Sequence, residues 1–133
     1  CTGDGAMISG SSQIIRCIIA KNGGSGLNVT NNSALLIHNN TVDGNTSYGL
    51  SVPAGALPQY SSIFNNIFSN HTSAAAVNVT SGVLATVDVG KFMDYNSFYN
   101  NLSNYSGISP GAHDTQLTSD PYVDAATQNY TLV

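Results

Sequence analysis

Enzymes need side chains that move protons, hold metals or attack electrophilic carbon, and this sequence offers few of them. Seven Asp, three His, two Lys and one Arg are scattered over 133 residues, and Glu is absent. Asp88, Asp94 and Asp114 are the carboxylates that could pair as a glycosidase requires. Asp88 and Asp94 are close in sequence but lack an aligned partner, and turn formation explains Asp114 beside His113. Proximity in sequence does not make an active site, so no catalytic residue is assigned. His38, His71 and His113 show no metal-ligand spacing, and no loop concentrates Asp and Asn oxygens for Ca²⁺. No metal site or cofactor is expected. A binding set is the sharper reading: Lys21, Asp43 and His71 with Tyr48 as a stacking platform, and Asn28 and Asn78 as amide partners for sugar hydroxyls. The absence of Trp weighs against it. These residues lie far apart in the chain, so a repeating element must bring them together.

Bulk properties narrow the classes. Hydrophobic residues make up 41% of the chain, too many for a disordered segment, while charged residues make up only 8%. Net charge is −4, and Arg16, Lys21 and Lys91 cannot form the basic stripe that nucleic acid or anionic lipid requires. No apolar stretch reaches the length of a membrane span. A surface of Asn, Ser and Thr suggests an extracellular, cell-surface or virion setting. The nine Asn-x-Ser/Thr triplets are what chance gives in so Asn- and Thr-rich a chain. A chain running from Cys1 to Val133 without a polar tail reads as part of something longer.

The element that could assemble the binding set is a repeat. One register aligns Ile14-x-x-Cys17-x-Ile19-x-x-Asn22 with Ile37-x-x-Asn40-x-Val42-x-x-Asn45, Ser62-x-x-Asn65-x-Ile67-x-x-Asn70 and Met93-x-x-Asn96-x-Phe98-x-x-Asn101. A second register precedes it in each unit: Gly5-Ala-Met-Ile8, Gly26-Leu-Asn-Val29, Gly49-Leu-Ser-Val52 and Ala76-Val-Asn-Val79. Three short, β-branched segments per unit with Gly, Asn or Ser between them predict a β-solenoid. No unit can bury its apolar face alone, so the units stack. The predicted first-sheet strands are 6–9, 26–30, 49–53 and 76–80. The second sheet takes strands near 13–16, 35–38, 61–64 and 91–95, and the third takes strands near 18–20, 41–43, 66–68 and 97–99. Ile19, Val42, Ile67 and Phe98 form an expected inward row.

The Ile-x-x-Asn-x-Ile-x-x-Asn pattern with Gly-apolar-x-apolar resembles the right-handed parallel β-helix family, which includes pectate lyases, other polysaccharide lyases and many phage tailspikes. The resemblance covers residues 5–101. It implies an all-β solenoid of about four coils over residues 1–101, with residues 102–133 as an irregular C-terminal cap over the open end or the start of a further coil. It also implies a stacked asparagine ladder at Asn40, Asn65 and Asn96, broken at Cys17 by a small buried thiol. Cys1 and Cys17 fall at different corners, which disfavours a disulfide. Tailspikes of this kind are commonly trimers, though the sequence carries no trimer signal.

In catalytic relatives the chemistry sits on the outer face of the first sheet. Here that face would present Met7 and Ser9, Asn28 and Thr30, Ser51 and Pro53, and Asn78 and Thr80, none of which is a general acid or base near neutral pH. The expectation is a non-catalytic β-helix module, a rigid scaffold that binds glycans along a Lys21–Asp43–His71 strip. The alternative is part of a polysaccharide lyase or glycoside hydrolase whose catalytic residues lie mostly outside this chain.

Overall fold

The computed structural model describes residues 2–31, 34–53, 61–80 and 93–133. Cys1, Asp88 and Lys91 lie outside them. The described residues form sixteen short strands, and twelve of them make four coils. Coil one contains β1 (Ala6–Ser9), β2 (Ser12–Ile15) and β3 (Ile18–Ala20); coil two β4 (Leu27–Asn31), β5 (Leu35–His38) and β6 (Thr41–Asp43). Coil three contains β7 (Leu50–Val52), β8 (Ser62–Phe64) and β9 (Ile67–Ser69); coil four β10 (Ala75–Val79), β11 (Met93–Asp94) and β12 (Ser97–Tyr99). Every strand pairs in parallel with its counterpart in the next coil, giving three parallel sheets. This is a parallel β-helix.

Alternation decides which way each strand faces. In β7, Leu50 and Val52 are buried while Ser51 points out. Leu27, Leu50 and Val77 stack in one inward column, and Val52 and Val79 in another. Val42, Phe68 and Phe98 fill the third sheet's inner side, with the Phe68 and Phe98 rings stacked at 5.6 Å.

The third coil lies one residue away from the expected register. Ile37 faces Ile63 and Val42 faces Phe68, so Ile63, Asn66, Phe68 and His71 replace Ser62, Asn65, Ile67 and Asn70. A one-residue slip turns every side chain to the other face, so burial settles the choice. Ile63 and Phe68 are fully buried, whereas Ser62 and Ile67 are only half-buried. The asparagine ladder therefore runs Asn40–Asn66–Asn96. Asn40 donates its backbone N–H and its amide to Oδ1 of Asn66 at 2.9 and 3.0 Å, and Asn66 repeats this with Asn96 at 3.0 Å each. Asn65 occupies the preceding position, with φ of 56°. The left-handed residue and the ladder residue are distinct, because the bend needs one amino acid to turn and the next to point inward. Cys17 does replace the amide in coil one, but its thiol is exposed and free rather than buried, and donates to the Ile15 carbonyl at 3.4 Å.

A second ladder runs along the third corner through Asn22, Asn45, His71 and Asn101. It explains the repeated glycine. A Cβ on Gly5 would lie 2.6 Å from Asn22 Nδ2, and one on Gly26 2.7 Å from Asn45 Nδ2. A Cβ on Gly49 would lie 3.0 Å from the His71 ring.

Beyond Asn101, β13 (Ser103–Ser106) adds a fifth strand to the first sheet and β14 (Thr115–Gln116) a fifth to the third. Then β15 (Tyr122–Asp124) and β16 (Asn129–Leu132) form an antiparallel hairpin. Tyr105 and Ile108 of this segment pack against the core, and the hairpin meets the outer face of the third sheet through Tyr122 and Tyr130. The buried hydroxyl of Ser69 and the carboxylate of Asp43 draw it there, since buried polar groups need partners.

Candidate functional site

The expected binding set divides once its geometry is known. Lys21 and Asp43 do meet, with Nζ 2.9 Å from Oδ2. Asp43, however, is fully buried. Its Oδ2 also accepts the Tyr130 hydroxyl at 2.9 Å, and its Oδ1 accepts Ser69 Oγ at 2.8 Å and Asn70 Nδ2 at 2.7 Å. Tyr122 closes the group through a 2.9 Å hydroxyl contact with Ser69 and an edge-on packing against Tyr130. Burial pushes the Asp43 pKa up, but hydrogen bonds from Lys21, Asn70, Ser69 and Tyr130 outweigh it and hold the carboxyl below its ordinary range. Four donors occupy this carboxylate. It anchors the hairpin.

His71 is not part of a surface strip either. It is fully buried as the third member of the second ladder, in the place expected for Asn70 and not the outward one after it. Its Nε2 accepts from Asn45 Nδ2 at 3.3 Å, and its Nδ1–H donates to Asn101 Oδ1 at 3.1 Å. Those neighbours suit neutral imidazole. Burial drives the pKa down to about 4, against smaller opposing effects of Asn101 and Asp43.

The remaining members of the set lie near the first sheet. Asn28 and Asn78 are half-buried and project outward in register with Met7, Ser51 and Ser106. Asn28 Nδ2 donates to Asp4 Oδ2 at 2.8 Å. Tyr48 is half-buried where the chain enters β7. Neutral amides and hydroxyls alternate along this row and can exchange hydrogen bonds with hydroxyl groups.

At the second corner the structure assembles a cluster from residues weighed above for catalysis. His113 pairs with Asp94, not with its neighbour Asp114: His113 Nδ1 lies 2.8 Å from Asp94 Oδ2, and the His113 backbone N–H donates to Asp94 Oδ1 at 2.6 Å. Asp94 is buried, while the imidazole is exposed. Burial raises the Asp94 pKa, but the His113 side-chain and backbone bonds and the Tyr95 N–H reverse this and leave the carboxyl below its usual range. The His113 ring stacks on Tyr95 at 4.5 Å and 4°. Chemically this is an imidazole held by a carboxylate with Nε2 directed away from it. Asp114 serves the ladder instead: its Oδ1 accepts the Asn96 backbone N–H at 2.7 Å, and its Oδ2 accepts Tyr105 Oη–H at 2.7 Å. The His113-Asp114 pair repeats Tyr95-Asn96 one coil later, which is the signal that would have placed it.

A cleft of about 380 Å³ lies elsewhere, between the third sheet and the hairpin, lined by Ile67, Ser97, Leu117, Pro121 and Leu132 among others. Among the described residues no three His, Cys, Asp or Glu side chains gather to hold a metal. No curated protein and no solved structure matches the chain. The family model for the right-handed β-helix region matches residues 1–102, in line with the three parallel sheets and the asparagine ladder, and the chain belongs to that family.

Proposed function

We propose that this chain is a non-catalytic β-helix module of an extracellular, cell-surface or phage-fibre protein, a rigid scaffold that binds glycans on its outer surface. The observation that carries the reading is the outward row of the first sheet, Met7, Asn28, Ser51, Asn78 and Ser106. Beyond Met7 its own side chains are neutral hydrogen-bonding groups with no acid or base among them, and the Asp4 carboxylate bonds Asn28 at its margin. The low proportion of charge and the abundance of Asn, Ser and Thr support the extracellular setting. The test is a glycan array followed by titration of the hits. Binding of an oligosaccharide that weakens in the Asn28→Ala/Asn78→Ala variant is the expected result. Incubation with uronic-acid polymers is expected to give no ultraviolet-absorbing unsaturated product, and its appearance would establish the lyase alternative.

A further inference from the structure

We propose that the second corner of the helix carries a saccharide-binding ridge centred on the Tyr95–His113 stack. The proposal rests on the glycan reading above and adds a contact surface separate from the first-sheet row. Arg16, Asn39, Asn65, Tyr95 and His113 each immediately precede one member of the first ladder: Cys17, Asn40, Asn66, Asn96 and Asp114. The fold therefore sets them out one per coil, at the strand spacing of about 4.8 Å, in a row about 19 Å long. All five are exposed.

Two independent features mark this row as more than a solvated corner. Arg16, Asn39, Asn65 and Tyr95 have φ between 56° and 58°. Asn adopts that backbone readily, but a bulky aromatic residue does so rarely, and such outliers gather at functional sites. Tyr95 stands there with 53% of its surface exposed. The second feature is the buried Asp94 carboxylate, whose bonds to the His113 ring and backbone fix an exposed imidazole. This orients the ring, with Nδ1–H directed to Asp94 and Nε2 turned away from it.

The chemistry of the row fits a neutral, hydroxyl-rich polymer lying along the helix axis. The two rings pack face to face, so what they offer a pyranose is the apolar strip along their exposed edges, against which its C–H groups can lie. Nε2 of His113, the Tyr95 hydroxyl, the Asn39 and Asn65 amides and the Arg16 guanidinium offer both donors and acceptors for hydroxyls. The net charge of −4 disfavours a polyanion.

The experiment titrates neutral glucan, galactan, mannan and chitin oligosaccharides into the chain and into Tyr95→Asn and His113→Gln. The parent is expected to bind one series with affinity rising with chain length. Tyr95→Asn is expected to weaken it about tenfold while the thermal midpoint stays level or rises, because Asn suits the left-handed backbone. A merely structural Tyr95 would lower the midpoint and spare affinity, which overturns the proposal. Parent-like binding by both variants, with loss in Asn28→Ala/Asn78→Ala, overturns the ridge but leaves the glycan reading intact. No binding by the parent to any series overturns both.

Discussion

Asp43 and Asp94 occupy comparable places, each the last residue of a strand before a left-handed corner, yet the molecule uses them in opposite ways. At the third corner Asp43 is enclosed by Lys21, Ser69, Asn70 and Tyr130, and every contact holds one part of the chain to another. At the second corner Asp94 turns one carboxylate oxygen onto an imidazole that remains in solvent. The difference arises from the C-terminal hairpin, which covers the outer face of the third sheet. A perturbed carboxylate therefore marks structure where the chain returns to cover it. It marks a presentable group where the chain does not.

Three measurements would break or sharpen this contrast. The largest effect belongs to Asp43→Ala, which leaves Lys21 and the Tyr130 hydroxyl without their buried partner. It should cost about 4 kcal/mol in chemical denaturation and expose residues 120–133 to protease. A stable variant with a protected hairpin would contradict the anchoring role. Next is the pH dependence of His71. Its folded value is about 4 against an ordinary 6.5, so the folded state favours the neutral ring. Stability from this group is complete above about pH 6.5 and declines as pH falls toward 4, because the unfolded chain gains the proton that the folded one refuses. The full loss is about 3 kcal/mol, and His71→Asn should flatten that part of the curve. Asp43 is depressed below its ordinary carboxylate range, so its own loss begins only as pH approaches the unfolded value of 3.8 and continues below it, which leaves the upper part of the window, from about pH 6.5 to 5, to His71. The smallest effect tests the register: Asn66→Ala should cost about 2 kcal/mol by leaving ladder partners unsatisfied, and Asn65→Ala about 1 kcal/mol for the left-handed corner alone. Equal losses would put the ladder assignment in doubt.

The fold was legible because stacking demands the same residue types at the same place in every coil. The glycine register Gly5, Gly26, Gly49 and the inward Leu27, Leu50 and Val77 stand as the repeat predicts. The third coil was harder to place because Asn65-Asn66 and Ile67-Phe68 are doublets that satisfy the pattern in either register. The burial of Ile63 and Phe68 distinguishes them. That slip put His71 on the surface, and with it the expected strip. The covering of Asp43 could not be read from the repeat, since Tyr130 reaches it across 87 residues of sequence. The Asp94–His113 pair was hidden for a related reason: its partners are one coil apart in a part of the chain where the pattern fades.

The carboxylate of Asp114 gives the first ladder a direction. Each Asn in that column accepts at Oδ1 from the coil below, returns one amide proton to a carbonyl of that coil, and hands its backbone N–H and its other amide proton onward to the coil above, so the pattern can pass through any number of copies. Asp114 receives from Asn96 in the same way but has no proton to hand on, being an acceptor only when ionised. It acts as a full stop in a one-way sentence. A chain built of repeats has no intrinsic length, and here exchanging a single nitrogen for oxygen gives this column a terminus, with the negative charge set where the aligned amide protons converge.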